Sequence, residues 1–286
     1  MPVIPVAADD LRLADYRHVR DADLLRAGGL FVAEGRLVVR RLLESRRFTT
    51  RSLLLTPAAH EDLAGVLPLA PDVPVYLLPL DAFEAVAGFH VHRGCLAIGE
   101  RGPEPDWRTV ANTGGVLVVL EGLADPDNVG SIFRHAAAFG AAGVLLSPAA
   151  ADPLYRKAIR TSMGAALHVP CARLTPWPET LDSLRAGGVT IAALTLDPSA
   201  TPLHEAAPRL AAGPLALLLG NEGAGLSAGS LARAALHVRI PMAPGVDSLN
   251  VSAAAAIALY ETAGRRGRGM LPEPDRPGPL PGVPVG

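Results

Sequence analysis

Residues 215–260, LALLLGNEGAGLSAGSLARAALHVRIPMAPGVDSLNVSAAAAIALY, decide the fold class. They read as a buried strand, a Gly-rich turn, a short helix, a second strand, an irregular loop and a long Ala-rich helix. Two turns, GNEGAG and PMAPGVDSLN, each follow an apolar strand. In α/β proteins ligands bind in the crevice outside the carboxyl ends of strands, so both turns are expected to line a pocket. Three glycines let the first turn approach a ligand closely and adopt positive φ. The GK[ST] ending of a P-loop is absent, and so is the spacing G-x-G-x-x-G. Ser227 is placed to cap the next helix. In the second turn Ser248, Asn250 and Ser252 crowd a strand-to-helix boundary. Helix capping accounts for one of the three, and the density of polar groups points to a site.

Working outward, the stretch from Val116 alternates strand and helix patterns. VLVVLEG is a buried strand, and DPDNVGSIFRHAAAFG a turn and a helix with Gly140 as C-cap. Asn128 is expected as that helix's N-cap, and Arg134, six residues on, lies off the apolar stripe. GVLLS follows as a strand and DPLYRKAIRTSMGAAL as one helix. HVPCARL, a helix around residues 179–185, the strand VTIAALTL and a loop then lead to residue 215. This order predicts a mostly parallel sheet covered on both faces.

The first hundred residues read as a smaller α/β unit. Residues 9–30 are expected as an acidic-capped helix ending at a Gly-Gly break. FVAEG is a strand, and RLVVRRLLESRRF a helix whose Val38, Val39, Leu42 and Leu43 form one stripe. RSLLLT, HEDLAGVL, VPVYLL, DAFEAVAG and HVHRGCLAIGE continue the alternation. Six arginines lie between Arg36 and Arg51, with only Glu44 opposing them in sequence. Arg36, Arg40, Arg41 and Arg47 are thus candidate contacts to phosphate, against the plainer reading of a solvated helix face. RGPEPDWRTVANTGG is expected as a linker, and the Pro/Gly-rich residues 268–286 as a disordered tail.

Composition narrows the class. With 49 % hydrophobic and 19 % charged residues the 286-residue chain has a sizeable core. Only Lys157 among the 26 basic residues is a lysine, and arginine offers the planar fork that suits phosphate. A net charge of −2 means that any nucleic-acid site is a local patch. Cys95 and Cys171 lack metal-ligand spacing and fit a reduced, cytoplasmic compartment. The N-terminus does not resemble a signal peptide, and no apolar run is long enough to span a membrane. The eight histidines are scattered, so no metal site is expected.

Together DPDNVGSIFRHAAAFGA, GNEGAGLS and IPMAPGVDSLNVSAAAAIALYE resemble, in order and spacing, the three motifs of the SpoU branch of the SPOUT superfamily, the RNA 2'-O-ribose methyltransferases. The resemblance covers about residues 114–265. FVAEGRLVVRRLLES and HVHRGCLAIGE are more weakly similar to the family's accessory RNA-binding domain, which is like certain ribosomal proteins. The resemblance implies an N-terminal RNA-binding domain over residues 1–100, a linker over 101–114, and a methyltransferase domain over 115–267 with a deep trefoil knot. It implies S-adenosylmethionine as cofactor, contacted by Leu194, Gly220, Ile240 and Leu249. Asn128, Arg134, Glu222, Ser248 and Asn250 match its catalytic polar set. It also implies a homodimer in which Arg134 reaches the partner subunit's cofactor. Ribosomal RNA is the expected substrate ahead of tRNA. His135 departs from the small or neutral residue the family commonly has there. Two alternatives fit less well: an RNA-binding protein without turnover is opposed by the intact polar set, and a nucleotide-dependent oxidoreductase by the missing dinucleotide fingerprint.

Overall fold

In the computed structural model, which describes residues 2–17, 21–88 and 94–267, the chain builds two sheets. The tail expected at 268–286 and the HVHR of HVHRGCLAIGE lie outside the described residues. The first sheet is assembled from β1 (Val3–Pro5), α1 (Asp21–Gly28), β2 (Leu30–Glu34), α2 (Arg36–Leu43), β3 (Thr49–Leu55), α3 (Pro57–Leu63), β4 (Val75–Leu77), α4 (Leu80–Ala87) and β5 (Cys95–Glu100). Its order is β1-β4-β3-β5-β2, with β5 antiparallel to both neighbours and the remaining pairs parallel. The α2 stripe Val38, Val39, Leu42 and Leu43 is buried as its spacing predicts.

After α5 (Trp107–Ala111) comes the larger sheet. Its elements are β6 (Val116–Leu120), α6 (Pro126–Phe139), β7 (Gly143–Leu146), α7 (Arg156–Thr161), β8 (Cys171–Arg173), α8 (Thr180–Ala186), β9 (Thr190–Leu194), β10 (Thr201–Pro202), α9 (Leu203–Leu210), β11 (Leu215–Leu219), α10 (Ala228–Leu231), β12 (Leu236–Arg239) and α11 (Val251–Gly267). All its ladders are parallel, in the order β10-β12-β9-β11-β6-β7-β8. Side chains alternate between faces with period two. Val116, Val118, Leu120, Leu215, Leu217 and Leu219 face α6, α9 and α11. Leu117, Val119, Ala216 and Leu218 face α5 and α8 on the other side. Burial on both faces is why these strands are unbroken apolar runs.

Four expectations are corrected. Residues 9–30 are not one helix: Asp10 caps a short 3-10 helix, Leu11–Tyr16, and α1 is separate. The linker contains α5, capped by Asp106, with Val110 buried against the sheet. Residues 152–167 hold α7 and then a 3-10 turn, because Met163 and Gly164 both take positive φ and end the helix. The loop before residue 215 contains α9, whose Leu203, Ala206, Ala207 and Leu210 form a buried i, i+3, i+4, i+7 stripe in spite of Pro208.

The arginine-rich segment is not a simple solvated face. Arg36 pairs with Asp62, and Arg51 lies 3.4 Å from Asp15. Arg41 Nη1 donates to the Met163 carbonyl at 2.5 Å, and Arg47 donates to the Cys171 carbonyl at 3.3 Å. Those last two contacts join the sheets. Leu154, Ile159 and Leu167, from the second sheet's connections, are buried in the same apolar cluster as Phe31, Val39 and Leu53 of the first. Arg156 reaches the buried Glu34 at 3.2 Å. Asp152, 7 % exposed, accepts from Arg101 and, at 3.1 Å, from Arg173. Replacing Asp152 by Ala leaves two half-buried guanidinium groups without their shared carboxylate. We expect a loss of about 3 kcal/mol, the low end for breaking a buried pair, measured by urea unfolding, with Asp152→Asn losing less.

Candidate active site

Helix α6 begins three residues before the position expected from its sequence. Asp125 is the N-cap, its carboxylate accepting from the Asp127 amide at 3.0 Å, and Pro126 fills the first helical position. Proline suits that position because its missing N–H would have no intrahelical partner there. The consequence is chemical: Asn128 is not spent on capping, and its side chain is available for contacts outside the helix. Lys157 Nζ lies 2.8 Å from Asp127, whose carboxyl it holds below the usual range, with help from the Thr161 hydroxyl.

The loop after β11 folds back on itself. The Asn221 and Gly225 backbones exchange hydrogen bonds of 3.2 and 2.9 Å. A Cβ on Gly220 would collide with the Gly225 carbonyl, so only glycine fits. Asn221 fixes the turn from within: its Oδ1 accepts from the Gly223 and Ala224 amides at 2.8 and 3.1 Å. Its Nδ2 donates to the Gly122 carbonyl at 2.9 Å, tying this loop to the end of β6. Ser227 caps α10 as expected.

Two loops meet α6 at Asn128. Its Nδ2 donates to Glu222 Oε1, and its Oδ1 accepts from Asn250 Nδ2 at 3.0 Å. Asn250 Oδ1 in turn accepts from the Ser252 amide at 2.9 Å and the Ser252 hydroxyl at 2.6 Å, holding the start of α11. Residues from α6, the β11 loop and the α11 entry thus form one polar chain. The packing of α11 against α6, with Phe139 edge-on to Tyr260 at 6.0 Å, keeps the three in register.

Beside this chain lies a cleft of about 570 Å³. It brings together Leu194, Gly220, Ile240 and Leu249, along with Glu222, Ser248 and Asn250. It stands over the carboxyl ends of β12, β9 and β11, where strand-end crevices take ligands. Its floor is the glycine loop and its walls are Leu194, Leu226, Ile240 and Met242. A backbone floor with apolar walls and a polar rim fits a nucleoside that carries an aliphatic chain. Arg134 is exposed and does not line the cleft of its own chain. It sits roughly 9 Å along the helix from Asn128, by the α-helical rise. Arg36, Arg40, Arg41 and Arg47 are likewise absent from the cleft.

Sequence reasoning missed Asn221 and Glu121. Glu121 is buried, and accepts from Trp177 Nε1 at 3.1 Å and from the Ser227 amide at 3.2 Å. An acid closing the apolar run VLVVLE was the available signal. No group of three or more His, Cys, Asp or Glu suited to a metal occurs among the described residues.

The family model for the SpoU rRNA Methylase family matches residues 115–260, the segment that holds the whole cleft. The chain belongs to that family. An uncharacterised tRNA/rRNA methyltransferase from Mycobacterium tuberculosis is 44 % identical over 261 residues, 88 % of each chain. Two solved structures match over nearly the whole length. A chain from Porphyromonas gingivalis assigned to the TrmH family of RNA methyltransferases has TM-score 0.76 and 30 % identity, covering 88 % of this chain and 97 % of that one. An rRNA methyltransferase from Sinorhizobium meliloti, with S-adenosylmethionine bound, has TM-score 0.77 and 25 % identity, covering 92 % and 98 %. S-adenosylmethionine is the SpoU family's methyl donor.

Asn250 separates two roles by substitution. Asn250→Asp keeps an oxygen to cap α11 but has no N–H to donate to Asn128. Asn250→Ala loses both. Thermal unfolding should show a loss of about 1 kcal/mol for Ala, the usual cost of a cap, and little change for Asp. Calorimetric titration with S-adenosylmethionine should show both variants binding more weakly than the parent.

Proposed function

We propose that this SpoU family protein methylates a ribose 2'-hydroxyl of RNA, ribosomal RNA ahead of tRNA, using S-adenosylmethionine. The observation that carries the reading is the Glu222–Asn128–Asn250 chain at the rim of a glycine-floored cleft. All the residues proposed for the cofactor line that cleft, as do Glu222, Ser248 and Asn250 of those proposed for the chemistry, and Asn128 bonds to two of these. The choice of ribosomal RNA is supported by the family's description and by an N-terminal unit outside the cleft, which we read as RNA-binding.

Leu194, Gly220, Ile240 and Leu249 would hold the cofactor, which when bound supplies an electrophilic methyl group on sulfonium. The chain's own task is to place the hydroxyl oxygen in line and dispose of its proton. Asn128 is held from both sides, so its carboxamide cannot turn freely, and with Ser248 it is placed to orient a ribose. Glu222 anchors that carboxamide. A guanidinium stays protonated in proteins, so Arg134 acts by gripping the neighbouring phosphate and stabilising charge that develops on the oxygen. The phosphate is then the group close enough to take the proton.

Arg134 stands outside its own cleft, which supports a homodimer in which each chain completes the other's site. The insertion of β11 and β12 between earlier strands, followed by the return of α11 onto α6, supports a knotted C-terminal domain. Arg40 remains our candidate for phosphate contact on α2, while Arg36, Arg41 and Arg47 reach RNA only at the expense of their internal contacts. We place the protein in the cytoplasm; both cysteines are buried and free, and among the described residues no helix is long and apolar enough to cross a membrane.

Incubation with tritiated S-adenosylmethionine and RNA from cells lacking the gene should label a 2'-O-methylnucleoside in the rRNA fraction. Label on a base, or in no RNA fraction, rejects the reading. Arg134→Ala should lower kcat by about a hundredfold, the size of losing one transition-state contact, and leave cofactor affinity intact. Mixing Arg134→Ala with Asn128→Ala protein should restore activity, since a mixed dimer carries one complete site. No recovery in verified mixed dimers means that each chain supplies its own arginine.

A further inference from the structure

The loop after β11 has a second side. Across it from the cofactor cleft is another cavity, about 450 Å³, whose walls include Glu121, Ser147, Ala149, Trp177 and Asn221. The cleft stands over β12, β9 and β11, and this cavity over β11, β6, β7 and β8, so the two are neighbours along one edge of the sheet. Asn221, Ala224 and Gly225 line both, so the partition is one loop thick.

We propose that this second cavity receives an unstacked nucleobase of the RNA substrate, laid against Trp177. The proposal rests on the RNA reading above and names the part of the RNA that is recognised. Its ring is a fixed platform: Trp177 Nε1 donates to Glu121 Oε1 at 3.1 Å, and the other carboxylate oxygen accepts from the Ser227 amide at 3.2 Å. Splayed bases of single-stranded RNA are bound by stacking on such rings. Charge selects the base over the backbone. The Glu121 carboxylate repels phosphate, yet it accepts hydrogen bonds from amino groups on a base edge. Ser147 Oγ, buried beneath the cavity, accepts from the Gly122 amide at 2.9 Å and fixes the wall beside Glu121. Pro148 and Ala149 supply apolar wall. A base still paired in a duplex cannot reach such a pocket, so the preferred substrate is a loop, bulge or unpaired end.

The test uses the full chain. Trp177→Ala should raise KM for the RNA pool roughly tenfold, the low end of what one stacked base supplies, with S-adenosylmethionine affinity unchanged. Trp177→Phe should keep part of the effect. Ala149→Phe, which fills the cavity from an exposed position, should raise KM in the same way without removing the ring. Trp177 becomes the sole indole in Trp107→Phe protein, and adding the same RNA should quench its emission. An unchanged KM in Ala149→Phe together with no quenching overturns the proposal. So does weakened S-adenosylmethionine binding in both cavity variants, which would assign the space to the cofactor. If the parent protein labels no RNA, the methylation reading fails by itself, and the quenching still decides whether a base stacks here.

Discussion

Strand β11 is the constraint on which the rest depends. It enters late in the chain, yet it is the central strand of the larger sheet, pairing with β9 on one side and β6 on the other. Every residue of it is buried. A parallel strand inserted between two others must leave the sheet at the same edge as its neighbours do, so its following loop emerges among theirs. That placement, and the fold-back that only Gly220 permits, set the partition between two cavities. The apolar ladder therefore fixes the chemistry of the edge without supplying any polar group itself.

The polar chain through Asn128 is the local counterpart. Its members come from positions 128, 222 and 250, and each link uses a different atom of a carboxamide or carboxylate. Asn250 joins secondary structure to site, since one end of its side chain holds the start of α11 and the other holds Asn128. Helix stability and site geometry are thus set by the same residue. Asp125 performs the complementary service by capping α6 and releasing Asn128.

The strands of the larger sheet were legible in the sequence because burial on both faces writes them as uninterrupted apolar runs. The glycine turn was legible from its own composition, and the resemblance of three motifs singled out Gly220, Glu222, Ile240, Ser248, Leu249 and Asn250, which line one cleft. Other features were illegible for identifiable reasons. Pro208 disguised α9, although Leu203, Ala206, Ala207 and Leu210 carried the helical spacing. Asn128 is a good capping residue by type and drew the expected helix start to itself, although Pro126, suited to the first helical position, marked Asp125 as the cap. The partners of Arg36, Arg41 and Arg47 lie on other elements, at Asp62, Met163 and Cys171, and no local pattern announces them. Glu121 showed in the sequence as one acid at a strand end, and its role emerged only with Trp177 and Ser227 beside it.

The shared apolar cluster between the sheets has a mechanical meaning. Ile159 and Leu167 belong to the connections of the larger sheet but are covered by side chains of the smaller one. Neither half can swing away without uncovering them, so there is no hinge at this seam. The two sheets are therefore one cooperative block: loosening the smaller one exposes apolar side chains of the larger, so stability lost in one half is lost from both.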